Sequence, residues 1–210
     1  MRIDVWADLV CPWCFIGKKR LQRALEQFPN NDDVTITHRA FQLDPSASTR
    51  SEPTVDHLAA KYGVTREQAL DMMSEVTEVA AGEGLDYRLD QTMTGNTRDV
   101  HRFVLWVQDT QPELTQPLLA DLYSGYFERG ARIFTIEDLL PFAAKHGIND
   151  DDTSQLLEGH DYLDRVAEDQ ATARELGASG VPFFVFNDMV GLSGAQPIAA
   201  FQQAIEQARQ

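Results

Sequence analysis

The chain opens on an apolar run, Ile3-Asp4-Val5-Trp6-Ala7, that reads as a mostly buried strand. Leu21, Ala24, Leu25 and Phe28 follow at i, i+3, i+4 and i+7, the spacing of a helix with one buried face. Pro29 and Asn30-Asn31 end that helix. Residues 34–43 then alternate, with Val34, Ile36, His38 and Ala40 on one face and Thr35, Thr37 and Arg39 on the other, which predicts a second strand. The first 43 residues therefore read β-α-β, and a parallel crossover of this kind is right-handed in nearly all cases.

The pattern changes at Asp44-Pro45, and residues 46–53 read as a loop or linker of Ser, Thr, Pro and charge. From there to about residue 160 the periodicity is helical. Thr65 and Gln68 form a capping box ahead of a helix that fades at Gly82 and Gly84. Asn96 or Thr97 caps a helix carrying Val100, Phe103, Val104 and Val107. Pro112 opens another, Thr135 caps a short one that ends at Gly147, and Asp150-Asp151-Asp152 begins one more, where negative charge suits the helix dipole.

Strand character returns late. A helix from about 161 ends at Leu176-Gly177. Phe183 to Phe186 and Met189 to Leu192 then make two short strands around an Asn187-Asp188 turn, and a last helix spans about 194 to 208. Two strands at either end make poor domains alone, so the outer pieces are expected to share one sheet. The expectation is an α/β fold: a discontinuous domain of residues 1–45 and 160–210, interrupted by a large all-helical insertion over 46–159.

Composition narrows the function class. The 210 residues carry 33 acidic and 18 basic side chains, a net charge of −15, which argues against a nucleic-acid partner because phosphate recognition needs a basic footprint. No apolar run approaches the length of a membrane span, and Asp4 and Asp8 interrupt what would be the apolar core of a secretory signal, so a cytoplasmic protein is expected. Only four basic residues are lysines, and Lys18 and Lys19 lie within two turns of Cys14.

The only two cysteines stand together in Cys11-Pro12-Trp13-Cys14, at the turn from the first strand into the first helix. In a cytosolic chain such a pair is redox-active or metal-binding rather than a structural disulfide. Zinc wants four ligands, and His38, His57, His101, His146 and His160 form no close-spaced pair to complete a site, so no metal is expected. At a helix N-terminus free amides and the dipole favour a thiolate, which makes Cys11 the candidate nucleophile. Pro12 suits the first helical position, Trp13 can cover one side of the dithiol, and Cys14, one turn in, is the candidate resolving thiol. Val181-Pro182 precedes the late strand, where a proline is tolerated at the strand start, and a cis bond there would turn the chain sharply and expose Val181 to an extended polypeptide. Asn96 and His101 are weaker candidates for the site periphery; a cap and a packed histidine explain them as well.

Taken together, Cys11-Pro12-Trp13-Cys14-Phe15-Ile16-Gly17, His38-Arg39-Ala40-Phe41, Asn96-Thr97-Arg98 with His101-Arg102, Gly180-Val181-Pro182-Phe183-Phe184 and Ser193-Gly194-Ala195-Gln196-Pro197 resemble the DsbA-like thioredoxin-fold oxidoreductases. The resemblance is closest to their cytosolic FrnE-like branch and extends to the 2-hydroxychromene-2-carboxylate isomerases. It implies a thioredoxin-like fold, thiol–disulfide oxidoreductase or isomerase activity at Cys11 and Cys14, a cis Pro182 and no bound cofactor. Glutathione is then a candidate redox partner, protein or small-molecule thiols and disulfides are the substrates, and a homodimer is compatible with the relatives. Trp13 stands where DsbA has a histidine, so a less oxidising couple is expected. Two alternatives stay open: a glutathione-dependent isomerase or transferase on the same scaffold, disfavoured because those relatives carry serine at the position of Cys11, and a polypeptide-binding holdase using the groove beside Val181-Pro182.

Overall fold

The computed structural model describes residues 1–28 and 33–209, so the expected helix stop at Pro29 to Asn31 lies outside the described residues. The chain divides into two compact units, residues 1–43 with 162–210, and residues 44–161. It begins with β1 (Arg2–Ala7), α1 (Pro12–Glu26) and β2 (Thr35–Ala40). The second unit runs β3 (Glu52–Pro53), α2 (Thr54–Tyr62), α3 (Arg66–Gly82), β4 (Met93–Thr94), α4 (Arg98–Thr110), α5 (Pro112–Arg129), α6 (Ile136–Lys145) and α7 (Asp150–Glu158). The chain then returns to the first unit with α8 (Leu163–Glu175), β5 (Phe183–Phe186), β6 (Val190–Ser193) and α9 (Ile198–Gln207).

In the first unit the strand order is β2-β1-β5-β6, with β1 and β2 parallel and β5 antiparallel to both its neighbours. Alternation along the strands gives the sheet two buried faces. Ile3, Phe184 and Phe186 pack on Leu21, Ala24 and Leu25 of α1 and on Phe201 and Ile205 of α9. Phe184 and Phe201 meet edge to face at 4.9 Å. Trp6, Phe183 and Val185 face the other way, onto Ala173 and Ala178, and the Trp6 indole donates to the Asp169 carbonyl at 2.8 Å. Charges buried on this face are matched: Arg39 reaches Asp4 at 2.8 Å and Asp169 at 3.3 Å, and the Ala40 amide donates to Asp169 at 3.0 Å. Burial holds the Asp169 carboxyl above its ordinary range against the opposing pull of those partners.

The β5–β6 turn uses Asn187 (φ 49°) and Asp188 (φ 57°), side chains that tolerate the left-handed region. Asn187 also accepts from the Arg2 amide and donates to the Ala208 carbonyl, each at 2.8 Å, tying the hairpin to both chain ends. β6 starts at Val190, one residue later than expected, because Met189 still closes the turn through the Phe186 carbonyl at 3.0 Å. The last helix starts at Ile198 rather than near 194, since Gly194 adopts φ 81° and Pro197 occupies the cap.

The second unit is helical apart from the two-residue ladder of β3 and β4, which pairs Glu52 with Thr94 and Pro53 with Met93. Strands this short leave no alternation to read, so residues 46–53 looked like plain loop. The capping box of Thr65 with Gln68 forms as the spacing predicts, and Thr135, expected as a cap, forms a second box with Asp138. Asn149 caps α7 by accepting from Asp151 and Asp152, which leaves Asp150 to Asp152 in the first turn. The core gathers Phe103, Val104, Leu118, Leu122, Tyr126 and Phe127, all at or below 1 % exposure. Among the described residues no helix is long and apolar enough to cross a membrane.

Candidate active site

β1 ends at Ala7, and the loop Asp8 to Val10 delivers Cys11 to the N-cap of α1. Pro12 follows at the first helical position, where its missing N–H leaves no helix bond unmade. The turn is fixed by the backbone: the Cys11 amide donates to the Asp8 carbonyl at 3.1 Å and the Cys14 amide to the Cys11 carbonyl at 3.0 Å. Both cysteines are free thiols and both are buried, Cys11 at 4 % and Cys14 at 2 % exposure, so they differ little in burial. Trp13 between them is 39 % exposed and Pro12 is half-buried.

The Val181–Pro182 peptide is cis, and the Cys11 thiol donates to the Val181 carbonyl at 3.6 Å. The fold thus brings together Cys11, Pro12, Trp13 and Cys14 from one end of the chain and Val181 and Pro182 from the other. Gly17 makes the approach feasible. A Cβ there would lie 2.9 Å from Pro182 Cγ and 3.2 Å from Phe184 Cζ, so any side chain would push α1 off the proline turn. On its far side the Pro182 carbonyl accepts the Gly194 amide at 2.8 Å, which ties the turn to the loop after β6.

The two thiols differ more in electrostatics than in exposure. Burial pushes the Cys14 thiol well up, and its hydrogen bond to Cys11 and the charge there push it further. The Asp8 carboxylate adds to the rise, while the Asp8 backbone opposes it by hydrogen bonding to the sulfur. Cys14 is therefore held as a protonated donor toward Cys11. Asp8 was not among the expected site residues. It is 1 % exposed, and its Oδ2 accepts the Leu43 amide at 2.8 Å. Its one sequence signal is an acid at the end of an apolar strand, three residues before Cys11. One turn beyond Cys14, burial lowers the half-buried Lys18 ammonium to about 8, with Lys19 acting in the same direction.

Asn96 and His101 belong to the second unit and have internal contacts there. Asn96 accepts from the Arg98 amide at 2.9 Å, in front of α4, and His101 is fully buried on that helix. Among the described residues no group of three or more His, Cys, Asp or Glu could hold a metal.

The model of the DSBA-like thioredoxin domain matches residues 2–206. The chain belongs to that family. A crystal structure described as a "probable DsbA oxidoreductase SCO1869" from Streptomyces coelicolor is 38% identical, covers 100% of this chain and 90% of its own, and superposes with a TM-score of 0.92. The "cytosolic disulfide reductase DsbM" of Pseudomonas aeruginosa, solved with GSH, shares the fold at 18% identity, full coverage of both chains and a TM-score of 0.69. The Bacillus subtilis protein YwbO is 24% identical over 98% of this chain and 96% of its own length. Membership in this family makes the chain a thiol–disulfide oxidoreductase in the general sense.

Proposed function

We propose that Cys11 and Cys14 are the reacting dithiol of a cytoplasmic thiol–disulfide oxidoreductase of the FrnE-like branch. The observation that carries this reading is the arrangement at α1: Cys11 at the N-cap with its sulfur against the Val181 carbonyl, and Cys14 held protonated behind it. In the reductive direction the Cys11 thiolate attacks one sulfur of a substrate disulfide. A Cys11–substrate mixed disulfide forms and the other sulfur leaves as a thiolate. Cys14 then loses its proton and attacks Cys11 Sγ, releasing the second substrate thiol and closing a Cys11–Cys14 disulfide. The substrate gains two electrons and the enzyme dithiol loses two; two external thiols restore the dithiol. Run backwards, the same steps oxidise a substrate dithiol, and partial reversal reshuffles disulfides. Trp13 and the backbone at Val181 flank the sulfur that meets the substrate.

The test is trapping. Cys14→Ala should accumulate mixed disulfides with disulfide substrates and Cys11→Ala should not; the reverse pattern would overturn the assignment. Glutathione as the restoring thiol is supported by the DsbM structure solved with GSH. It is measured by whether the dithiol equilibrates with a glutathione buffer. An isomerase or transferase that merely activates glutathione would retain turnover in the Cys11→Ala, Cys14→Ala double variant, and we expect none.

A further inference from the structure

The residues in front of and inside α4 do something the dithiol chemistry does not require. Asn96 donates from its side-chain amide to the Pro45 carbonyl at 3.2 Å and to the Ala47 carbonyl at 3.1 Å, and its backbone amide donates to Ser48 at 3.0 Å. Six residues on, Arg102 is 2 % exposed. Its guanidinium donates to the carbonyls of Leu156 (2.5 Å), Leu157 (3.2 Å), Gly159 (2.9 Å) and Asp161 (2.7 Å), and pairs with Asp99 at 3.0 Å. Residues 44–48 are the segment by which the chain enters the helical unit, and 159–161 the segment by which it leaves. One helix end therefore holds both connections. The rigid fork of an arginine suits this task, because its five donors can satisfy several buried carbonyls at the end of α7 at once.

The connections are fastened on the other side as well, within the thiol unit. The inbound segment departs at Leu43, whose amide donates to Asp8 Oδ2 at 2.8 Å, and the Asp8 carbonyl in turn accepts the Cys11 amide at 3.1 Å. Next to it, Gln42 and Gln170 exchange a reciprocal pair, at 3.0 Å from the Gln42 amide and 3.1 Å to the Gln42 carbonyl. Hydrogen bonds thus run from Asn96 to the segment beginning at Asp44, and from its neighbour Leu43 to the loop that presents the nucleophile.

We propose that the N-terminal end of α4 is a clamp on both connections between the units, with Asn96 and Arg102 as positioning residues that set the loop carrying Cys11. Asn96 and Arg102 touch no reacting atom. They restrict how the inbound and outbound segments move, and the inbound segment is joined at Asp44 to Leu43, whose amide donates to Asp8, the residue that sits against Cys14. Coupling of this kind is reciprocal, so whatever loosens the inbound segment also shifts the balance between dithiol and disulfide. The redox half of this proposal rests on the function proposed above.

The test compares the full-length protein with Asn96→Asp, which keeps the acceptor for Arg98 and loses the two side-chain donors. We expect hydrogen exchange at the Leu43 and Ala47 amides to quicken at least tenfold, and the Cys11–Cys14 equilibrium constant against glutathione to shift at least threefold. Arg102→Lys, which keeps the charge but not the fork, should quicken exchange at Gly159; if it does not fold, Asn96→Asp carries the test alone. Thr65→Ala, a cap lesion in the same unit, serves as control and should move neither readout. An unchanged Leu43 amide overturns the clamp, as does faster exchange with an unmoved equilibrium, or an equal response in Thr65→Ala. If the wild-type dithiol does not equilibrate with glutathione at all, the functional reading fails, and the amide measurements decide the clamp by themselves.

Discussion

Residues 44–161 are one continuous stretch whose helices pack largely on their neighbours in sequence, α2 on α3, α4 on α5 and α6 on α7. The thiol unit is assembled the other way. Its central pairing joins Ile3 to Phe186 and Trp6 to Phe183, so its sheet stays incomplete until nearly the whole chain exists. The two also divide the charge unequally: 22 acidic against 9 basic residues in 44–161, and 11 against 9 in the rest. Local contacts let a segment compact early, and a compact insertion shortens the effective loop that must close before β5 can pair with β1. Both cysteines lie in the unit whose sheet needs both ends of the chain, and none lies in the acidic insertion.

The comparison breaks most readily at Phe184, fully buried between α1 and α9. Phe184→Ala should cost about 3–5 kcal/mol of the thiol unit's stability. In urea we expect two transitions for this variant, with helical circular dichroism persisting after the near-ultraviolet signal of the thiol unit is lost. A single unshifted transition would mean that the units do not differ in this way. Gly17→Ala should cost roughly 1–3 kcal/mol by overpacking against Pro182, and should also slow disulfide exchange, because the added methyl pushes the proline turn away from Cys11. Thermal melts and an exchange assay read the two effects separately.

Lys18 gives a pH signature confined to the thiol unit. Its native ammonium is lowered to about 8 from 10.5, so between those values the unfolded chain binds the extra proton and stability rises with pH. The raised Cys14 thiol has the opposite sign: the native state keeps its proton longer, and stability falls above the ordinary thiol range. In a Cys14→Ala background, Lys18→Met should therefore flatten the rise between about pH 8 and 10.5 and stabilise the protein below pH 8. Allowing for solvent screening of this half-buried group, the gain is about 1–2 kcal/mol by denaturant titration. The smallest effect belongs to the helical unit: Thr65→Ala removes one side of a capping box and should cost about 1 kcal/mol, with exchange activity untouched.

Much of this was legible in the chain. Helical periods, the Thr65 capping box, the Thr135 cap and the Asn187-Asp188 turn were readable because they depend on residues within a few positions of one another, where side-chain spacing and cap chemistry act directly. The Cys11-Pro12-Trp13-Cys14 turn was readable for the same reason. The two-residue strands β3 and β4 and the late start of α9 were not, since the first depends on a partner some forty residues away and the second on a turn that holds the Pro182 carbonyl. An acid three residues before Cys11 is the one local sign of Asp8 and does not place it behind Cys14, and nothing local marks Gly17 as the gap that admits Pro182. For Asn96 the sequence offered a cap or the site's periphery, and its side-chain bonds to the Pro45 and Ala47 carbonyls, some fifty residues back, had no local sign. Sequence by itself determined the elements and the thiol pair, because both are local chemistry. Which carboxylate, carbonyl and proline meet those thiols was decided only by strand pairing between the two ends of the chain, which no short window of residues contains.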